Sequence, residues 1–426
     1  TQSSFKSDLA DMELNIQIGN LRNPQSLIYK GRVDASRINI AALTGNFGDF
    51  KTAELDLELD GKGFDPLTMR SKVKGAIHHF YYNGYRYQGM AVNGQIAESN
   101  FKGQFRIKDP NLSFLFDGIA SFGTDSSEYD FTAQVDSANL YALHLVKDSL
   151  AQYRGAMDID VLILDQDHWA GTVDLFDLKY RNSSQTYDLM DVAIEASGLQ
   201  EEKQLRVRSD ILEANLEGQY TYLGMSRIFS HHFKKYLIPE RYRDTLQSPV
   251  NFSYDLTFKN SSALSQALIP ELLIEPGTHV QGEYRDGENL LRMNLNSDGI
   301  RYGANLFQNL DLQWLSGAAD LLNLTLERYQ YGEGRHIDSI QFVNVFAGDS
   351  MNYSLDMILR DSIDSYGSFE GLIAILDSNA YRMQFDRGDM LFGNRSFKLD
   401  TGSVMRVDSS GFSIDWLKIS GPSLAL

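Results

Sequence analysis

Residues 53–61 read AELDLELDG, in which every second side chain is apolar: Ala53, Leu55, Leu57 and Leu59 share one phase, and Glu54, Asp56, Glu58 and Asp60 the other. Successive side chains of an extended chain point to opposite faces, so this stretch reads as a strand with one apolar and one solvated face. The pattern recurs along the chain. FKGQFRIKD sets Phe101, Phe105 and Ile107 against Lys102, Gln104, Arg106 and Lys108. YDFTAQVD repeats it with Tyr129, Phe131 and Val135, and MDIDVLI with Met157, Ile159, Val161 and Ile163. LRMNLN (Leu291, Met293, Leu295) and FSIDW (Phe412, Ile414, Trp416) carry it towards the C-terminal end. The 24 Phe and 22 Tyr suit a half-buried pleated surface, and the 34 Gly suit many tight turns.

The breaks between these runs say how the strands connect. Asn83-Gly84, between VKGAIHHFYY and YRYQGMAV, predicts a two-residue hairpin of type I′, because both residues tolerate a left-handed backbone. DGKG (60–63), ESN (98–100) and KDPN (108–111) end neighbouring runs, placing strand starts near 53, 69, 85, 101 and 112. That spacing leaves no room for crossover helices and predicts an antiparallel meander. Helical turns are expected in VDASRINIAALTG (33–45), VDSANLYALHLV (135–146), LGMSRIFSHHFKKYL (223–237) and NSSALSQALIPELL (260–273). The fold class expected is therefore all-β with a few short helices.

A long repeat underlies the strands. Val33-Asp34 reappears as Val135-Asp136, the Tyr85/Tyr87 segment near Tyr187, and Leu115-Phe116-Asp117-Gly118 as Asn215-Leu216-Glu217-Gly218. A period of about 100 residues implies stacked modules, expected at 1–130, 131–249 and, more divergent, 250–426.

Composition and motifs exclude several functions. A net charge of −18 opposes nucleic-acid binding, which needs Lys and Arg to displace counterions. There is no Cys, hence no disulfide or thiolate chemistry. His78-His79 and His231-His232 are adjacent pairs whose members point apart on a strand, so neither pair chelates one ion. The carboxylates, Asp158/Asp160 and Asp361/Asp364 among them, read as a solvated acidic face. No nucleophile elbow, phosphate-binding loop or dinucleotide fingerprint occurs. The sequence thus predicts no enzyme, metal or cofactor. No apolar run is long enough for a transmembrane helix. The chain opens on TQSSFKSDLA without Met and closes on GPSLAL, and is expected to be a portion of a longer protein.

An apolar strand face must be buried against something. Four short helical segments are too few to cover so many strands. Either the sheet closes into a sandwich, or the face holds an apolar ligand.

One region resembles a known family. GNFGDFKTAELDLELDGKGFDPLTMRSKVKGAIHHFYYNGYRYQGMAVNGQIAESNFKGQFRIKDPNLSFLFDGIASF (45–122) is similar to TamB-like translocation and assembly module proteins of the AsmA-like superfamily, in their Bacteroidetes-type branch. Residues 380–421 resemble that branch more loosely, with Phe397 where Trp is usual. The resemblance implies a β-taco, a long U-shaped antiparallel sheet with a hydrophobic groove. It further implies a periplasmic, bridge-like carrier of phospholipids between the inner and outer membranes of a Gram-negative cell. An anchor outside this segment and an Omp85-type outer-membrane barrel would be its partners. The groove lining expected is Leu55, Leu57, Leu59, Phe101, Phe105, Ile107, Phe131, Val135, Ile159, Val161 and Met293. The alternatives are a scaffold or chaperone for outer-membrane protein assembly, a surface-binding β-repeat protein, and an enzyme on a parallel β-helix.

Overall fold

The computed structural model describes residues 2–425 apart from 8, 21–25, 40–49, 64, 66, 122–125, 201, 223, 226–249, 262–268, 270, 289, 318–319, 333, 348–349, 361–363, 378–379, 409–410 and 422–423. By compactness the chain divides into two units, Thr1–Leu199 and Gln200–Leu426. Both are built from antiparallel strands, and every pairing among the described residues is antiparallel, which removes the parallel β-helix.

The first unit is a simple meander. Its strands are β1 (Gln2–Lys6), β2 (Ala10–Gly19), β3 (Ile28–Asn39), β4 (Phe50–Lys62), β5 (Arg70–Tyr82) and β6 (Tyr85–Ala97). They continue as β7 (Asn100–Asp109), β8 (Leu112–Ser121), β9 (Ser127–Asn139), β10 (Gln152–Ile163), β11 (Trp169–Arg181) and β12 (Thr186–Ser197). Each pairs with the next in sequence. The expected strand starts fall within three residues of β4 to β8. Asn83 (φ 46°) and Gly84 (φ 76°) are both left-handed, as the type I′ hairpin requires.

Among the described residues, the segments of this unit expected to be helical form no helix. Residues 33–39 belong to β3, where the register slips between Ala35 and Ile38; residues 40–45 lie outside the described ones. Residues 135–139 end β9, where Val135 faces Gly155 but Ala138 faces Tyr153. Each copy of the Val-Asp motif thus leads into or lies within a β-bulge, at Ala35–Ile38 in β3 and at Val135–Ala138 in β9. An extra residue in a bulge makes the apolar positions step by three, Ala35 to Ile38 and Val135 to Ala138. In the sequence that step is indistinguishable from a helical period. Residues 140–145 form one turn, with Leu143 N–H donating to the Asn139 carbonyl (3.0 Å) and Leu145 N–H to that of Leu140 (2.9 Å).

The second unit begins with β13 (Lys203–Ser209), β14 (Leu212–Gln219), β15 (Asn251–Phe258), β16 (Leu272–Ile274), β17 (His279–Arg285) and β18 (Leu290–Tyr302). It continues with β19 (Asn305–Leu315), β20 (Asp320–Tyr331), β21 (His336–Ala347), β22 (Ser350–Leu359), β23 (Ser365–Asp377) and β24 (Ala380–Phe392). It ends with β25 (Arg395–Leu399), β26 (Ser403–Asp408), β27 (Gly411–Trp416), β28 (Ile419–Gly421) and β29 (Leu424–Ala425). β17 and β16 share the two halves of β18. At β24 the ladder forks: residues 388–392 pair with β25, and residues 381–385 with β26. β25 then pairs with β28, and β26 with β27. The helical segments expected at 223–237 and 260–273 lie mostly outside the described residues. The only helical element with both ends described is a 3-10 turn, Asp286–Glu288.

Gly103 and Gly118 face each other on β7 and β8. A Cβ on Gly103 would stand 2.4 Å from both the Asn93 carbonyl oxygen and the Gly94 Cα, and Gly103 has φ +152°. Gly103→Ala therefore strains the backbone and forces strands apart. It is expected to destabilise the first unit by about 2–4 kcal/mol, read as a lower urea midpoint, whereas Gly287→Ala, with open space around it, leaves the midpoint unchanged.

Candidate functional site

The ladder registers assemble one apolar face in the first unit. Leu14 faces Val33, Val33 faces Leu57, and the row continues through Gly75, Val92, Phe105, Phe116, Ala133, Met157 and Leu175 to Val192. Directly opposed residues of an antiparallel ladder point to the same side. A second row runs from Ile16 through Gly31, Leu59, Val73, Gly94, Gly103, Gly118, Phe131, Ile159 and Val173 to Ile194. Two further rows carry Leu55 with Ile107 and Val135, and Phe101 with Val161. All ten lining residues expected in this unit thus share one face. Met293 lies in the second unit, in its own apolar row between Gly282 and Trp314.

Among the described residues that face is only partly covered. Ile107 and Val161 are buried, whereas Leu55, Leu57, Leu59, Phe101, Phe105, Phe131, Val135 and Ile159 are half-buried among their neighbours. Aromatic rings bridge the glycines: Phe101 contacts Phe116 at 6.0 Å between centroids, and Phe116 contacts Phe131 at 4.9 Å. The 140–145 turn folds back over one end, where Leu143 is 1% exposed against Tyr87, Met90 and Ile107. A latch holds it there, since Asn83 Nδ2 donates to the His144 carbonyl at 2.8 Å. This covering turn was hidden in the segment that resembles a helix.

The KDPN turn also has a structural task. Asp109 is buried and accepts hydrogen bonds from the Tyr85 hydroxyl, the Gln88 N–H (3.0 Å) and the Asn111 N–H (2.8 Å). It ties the Tyr hairpin to the next turn. Burial, with Asp109 beside it, raises the Tyr85 pKa above its ordinary value.

The opposite face is polar and paired. Lys30 reaches Asp60 at 2.7 Å, Arg32 Nε donates to Asp56 at 2.7 Å, and Gln104 to Asp117 at 2.7 Å. A concavity of about 780 Å³ opens on this side among Lys30, Arg32, Asp60, Lys72, Lys74 and Lys102. Its charges are of both signs, and Leu59 and Val73 line it beside them. Asp158 and Asp160 stand exposed on the same side. His79 Nδ1 lies 2.9 Å from Glu54, and burial with Arg86 nearby lowers its pKa. His231 and His232 fall outside the described residues. Among the described residues no cluster of three His, Asp or Glu could hold a metal ion, and no helix is long and apolar enough to cross a membrane.

In the second unit, Leu205, Leu216, Tyr254, Gly282, Met293, Trp314 and Leu322 form one row, and Leu256, Val280, Leu295, Leu312, Leu324, Phe342, Leu355 and Phe369 another. Tyr220, Phe252, Tyr254, Tyr284 and Leu291 bury one another, with Tyr222 and Met225 packed alongside. The short chain after β14 thus shelters part of this face, as the 140–145 turn does in the first unit.

No family model, curated protein or solved structure matches the chain.

Burial pushes the Tyr284 phenol from its ordinary 10.0 up to about 12, aided by Asp286, and raises Tyr254 as well. A folded pKa above the unfolded one means that unfolding releases protons at high pH. The tyrosine cluster's contribution is complete below pH 10 and is lost as pH rises through about 12. Alkaline titration should show tyrosinate absorbance rising in two stages, the later one coinciding with loss of the strand signal in circular dichroism. Tyr284→Phe is expected to weaken that coupling.

Proposed function

We propose that the chain is a non-enzymatic lipid conduit of the TamB-like kind, carrying phospholipid acyl chains along its apolar sheet faces. The observation that carries this reading is the continuity of the rows. From Leu14 to Val192 the first row crosses eleven strands without a charged side chain. An acyl chain lying on such a surface stays out of water at about 0.8 kcal/mol per methylene. Moving it by one strand, about 4.8 Å, exchanges one set of apolar contacts for a similar set. No position binds so tightly that the chain is trapped, and the headgroup can stay in water beyond the strand ends.

On this reading the protein works in the periplasm between inner and outer membranes, anchored by sequence outside this segment and meeting an Omp85-type barrel. Phospholipid is its cargo, and it needs neither cofactor nor metal.

The test places photo-crosslinking residues at Leu57 and Ile159 and a charge between them in Phe105→Arg. A guanidinium forced against this face costs several kcal/mol. Lipid recovered at both probes should fall at least about tenfold, with the strand signal of the variant intact. Undiminished crosslinking would sink the conduit. Loss of lipid with normal outer-membrane assembly of client proteins in cells would favour the scaffold instead.

A further inference from the structure

The apolar face of the second unit carries a polar pair. The row through Met293, Trp314 and Leu322 continues to Asn344, then Tyr353, Gly371 and Phe385. Asn344 and Tyr353 oppose each other on β21 and β22. They are 3% and 5% exposed, and neither the Asn344 Oδ1 nor the Tyr353 hydroxyl has a hydrogen-bond partner. A buried polar group left unpaired costs about 1–3 kcal/mol, and such groups are rare in folded proteins. Side by side on a largely apolar face, where the buried Ser297, Ser316 and Ser403 hydroxyls do have partners, these two are better explained by something that pairs with them.

The surroundings indicate what that is. The Tyr353 ring lies over Gly371 and contacts Phe385 edge-on at 6.3 Å. Phe385 lines a cavity of about 200 Å³ at the β24 fork, together with Phe369, Met390, Leu399, Met405 and Ile414. No polar surface lines that cavity. An apolar chamber therefore adjoins a polar pair, the arrangement that suits an acyl chain with a hydrogen-bonding group near one end. The pair also selects the group. Asn344 Oδ1 needs a donor, and the phenol, kept protonated by burial and by the charge of Asp386, can donate. A secondary amide or hydroxyl answers both, whereas an ester carbonyl only accepts.

We propose that Asn344 and Tyr353 form a selective stop on the apolar face, which holds amide- or hydroxyl-bearing acyl chains in preference to simple esters. The proposal rests on the conduit reading, because it assumes that acyl chains occupy this face.

The experiment loads the full chain with ethyl palmitate or with its amide counterpart, N-ethylpalmitamide, and compares retention in the wild type, Asn344→Leu and Tyr353→Phe. The wild type should retain the amide about tenfold better, the value of one buried hydrogen bond. Asn344→Leu should bring the ratio towards one with ester retention unchanged, whereas Tyr353→Phe, which removes the donor that either carbonyl uses, should lower retention of both; each should leave the thermal midpoint equal or higher, since an unpaired polar atom has been removed. Equal retention of both ligands by the wild type overturns the stop but leaves the conduit standing, whereas retention of neither overturns the conduit reading and the stop together. A preference that persists in both variants, or a collapse of the fold in both, makes the pair structural and overturns the proposal.

Discussion

The whole structure depends on keeping a two-residue alternation in step across many antiparallel ladders. A slip of one residue in any strand would send its entire apolar set to the solvated side. In the first unit Val33, Leu57, Val92, Phe105 and Phe116 stay aligned across the sheet although bulges interrupt β3, β5 and β9. The bulges do not corrupt the alignment, because the apolar phase shifts with them. Ala35 is followed by Ile38, and Val135 by Ala138, so the side chain after each bulge returns to the apolar face. Alternation and register are specified together.

Much of this could be read in the residues. A strand such as AELDLELDG announces its faces, and Asn83-Gly84 announces its turn, because each depends only on neighbours in sequence. That the ten named positions of the first unit share a face follows from phase alone. The bulges were misread because an extra residue in a strand and the first turn of a helix give the same apolar spacing, and only a partner strand distinguishes them. Leu143 was hidden for a related reason: its burial comes from Met90 and Ile107, far away in the sequence. Asn344 and Tyr353 carried no signal, since a lone Asn or Tyr in a strand normally faces water. Their significance lies in register, with Leu322 on one side and Gly371 on the other.

The two faces divide the chemistry. The acidic excess of the chain lies largely on the polar side, where Lys30, Arg32 and Gln104 pair with carboxylates across neighbouring strands. Such exposed pairs contribute about 0–1 kcal/mol each, so they support solubility and correct register more than stability. The other side holds the aromatic rings and the aliphatic rows, and among the described residues the turn at Leu143 covers it in the first unit and Tyr220, Tyr222 and Met225 in the second.

Gly94, Gly103 and Gly118 stand at one height on three consecutive strands, and a file of residues without side chains is a crease. It runs perpendicular to the strands, so the sheet can bend along it while each inter-strand hydrogen bond is kept. Glycine has the least restricted backbone of any residue. Any widening or narrowing of the apolar face will therefore concentrate at this line. The Phe101, Phe116 and Phe131 rings that bridge it act as its stiffener, so how far the face can bend is set by a handful of residues rather than by the sheet as a whole.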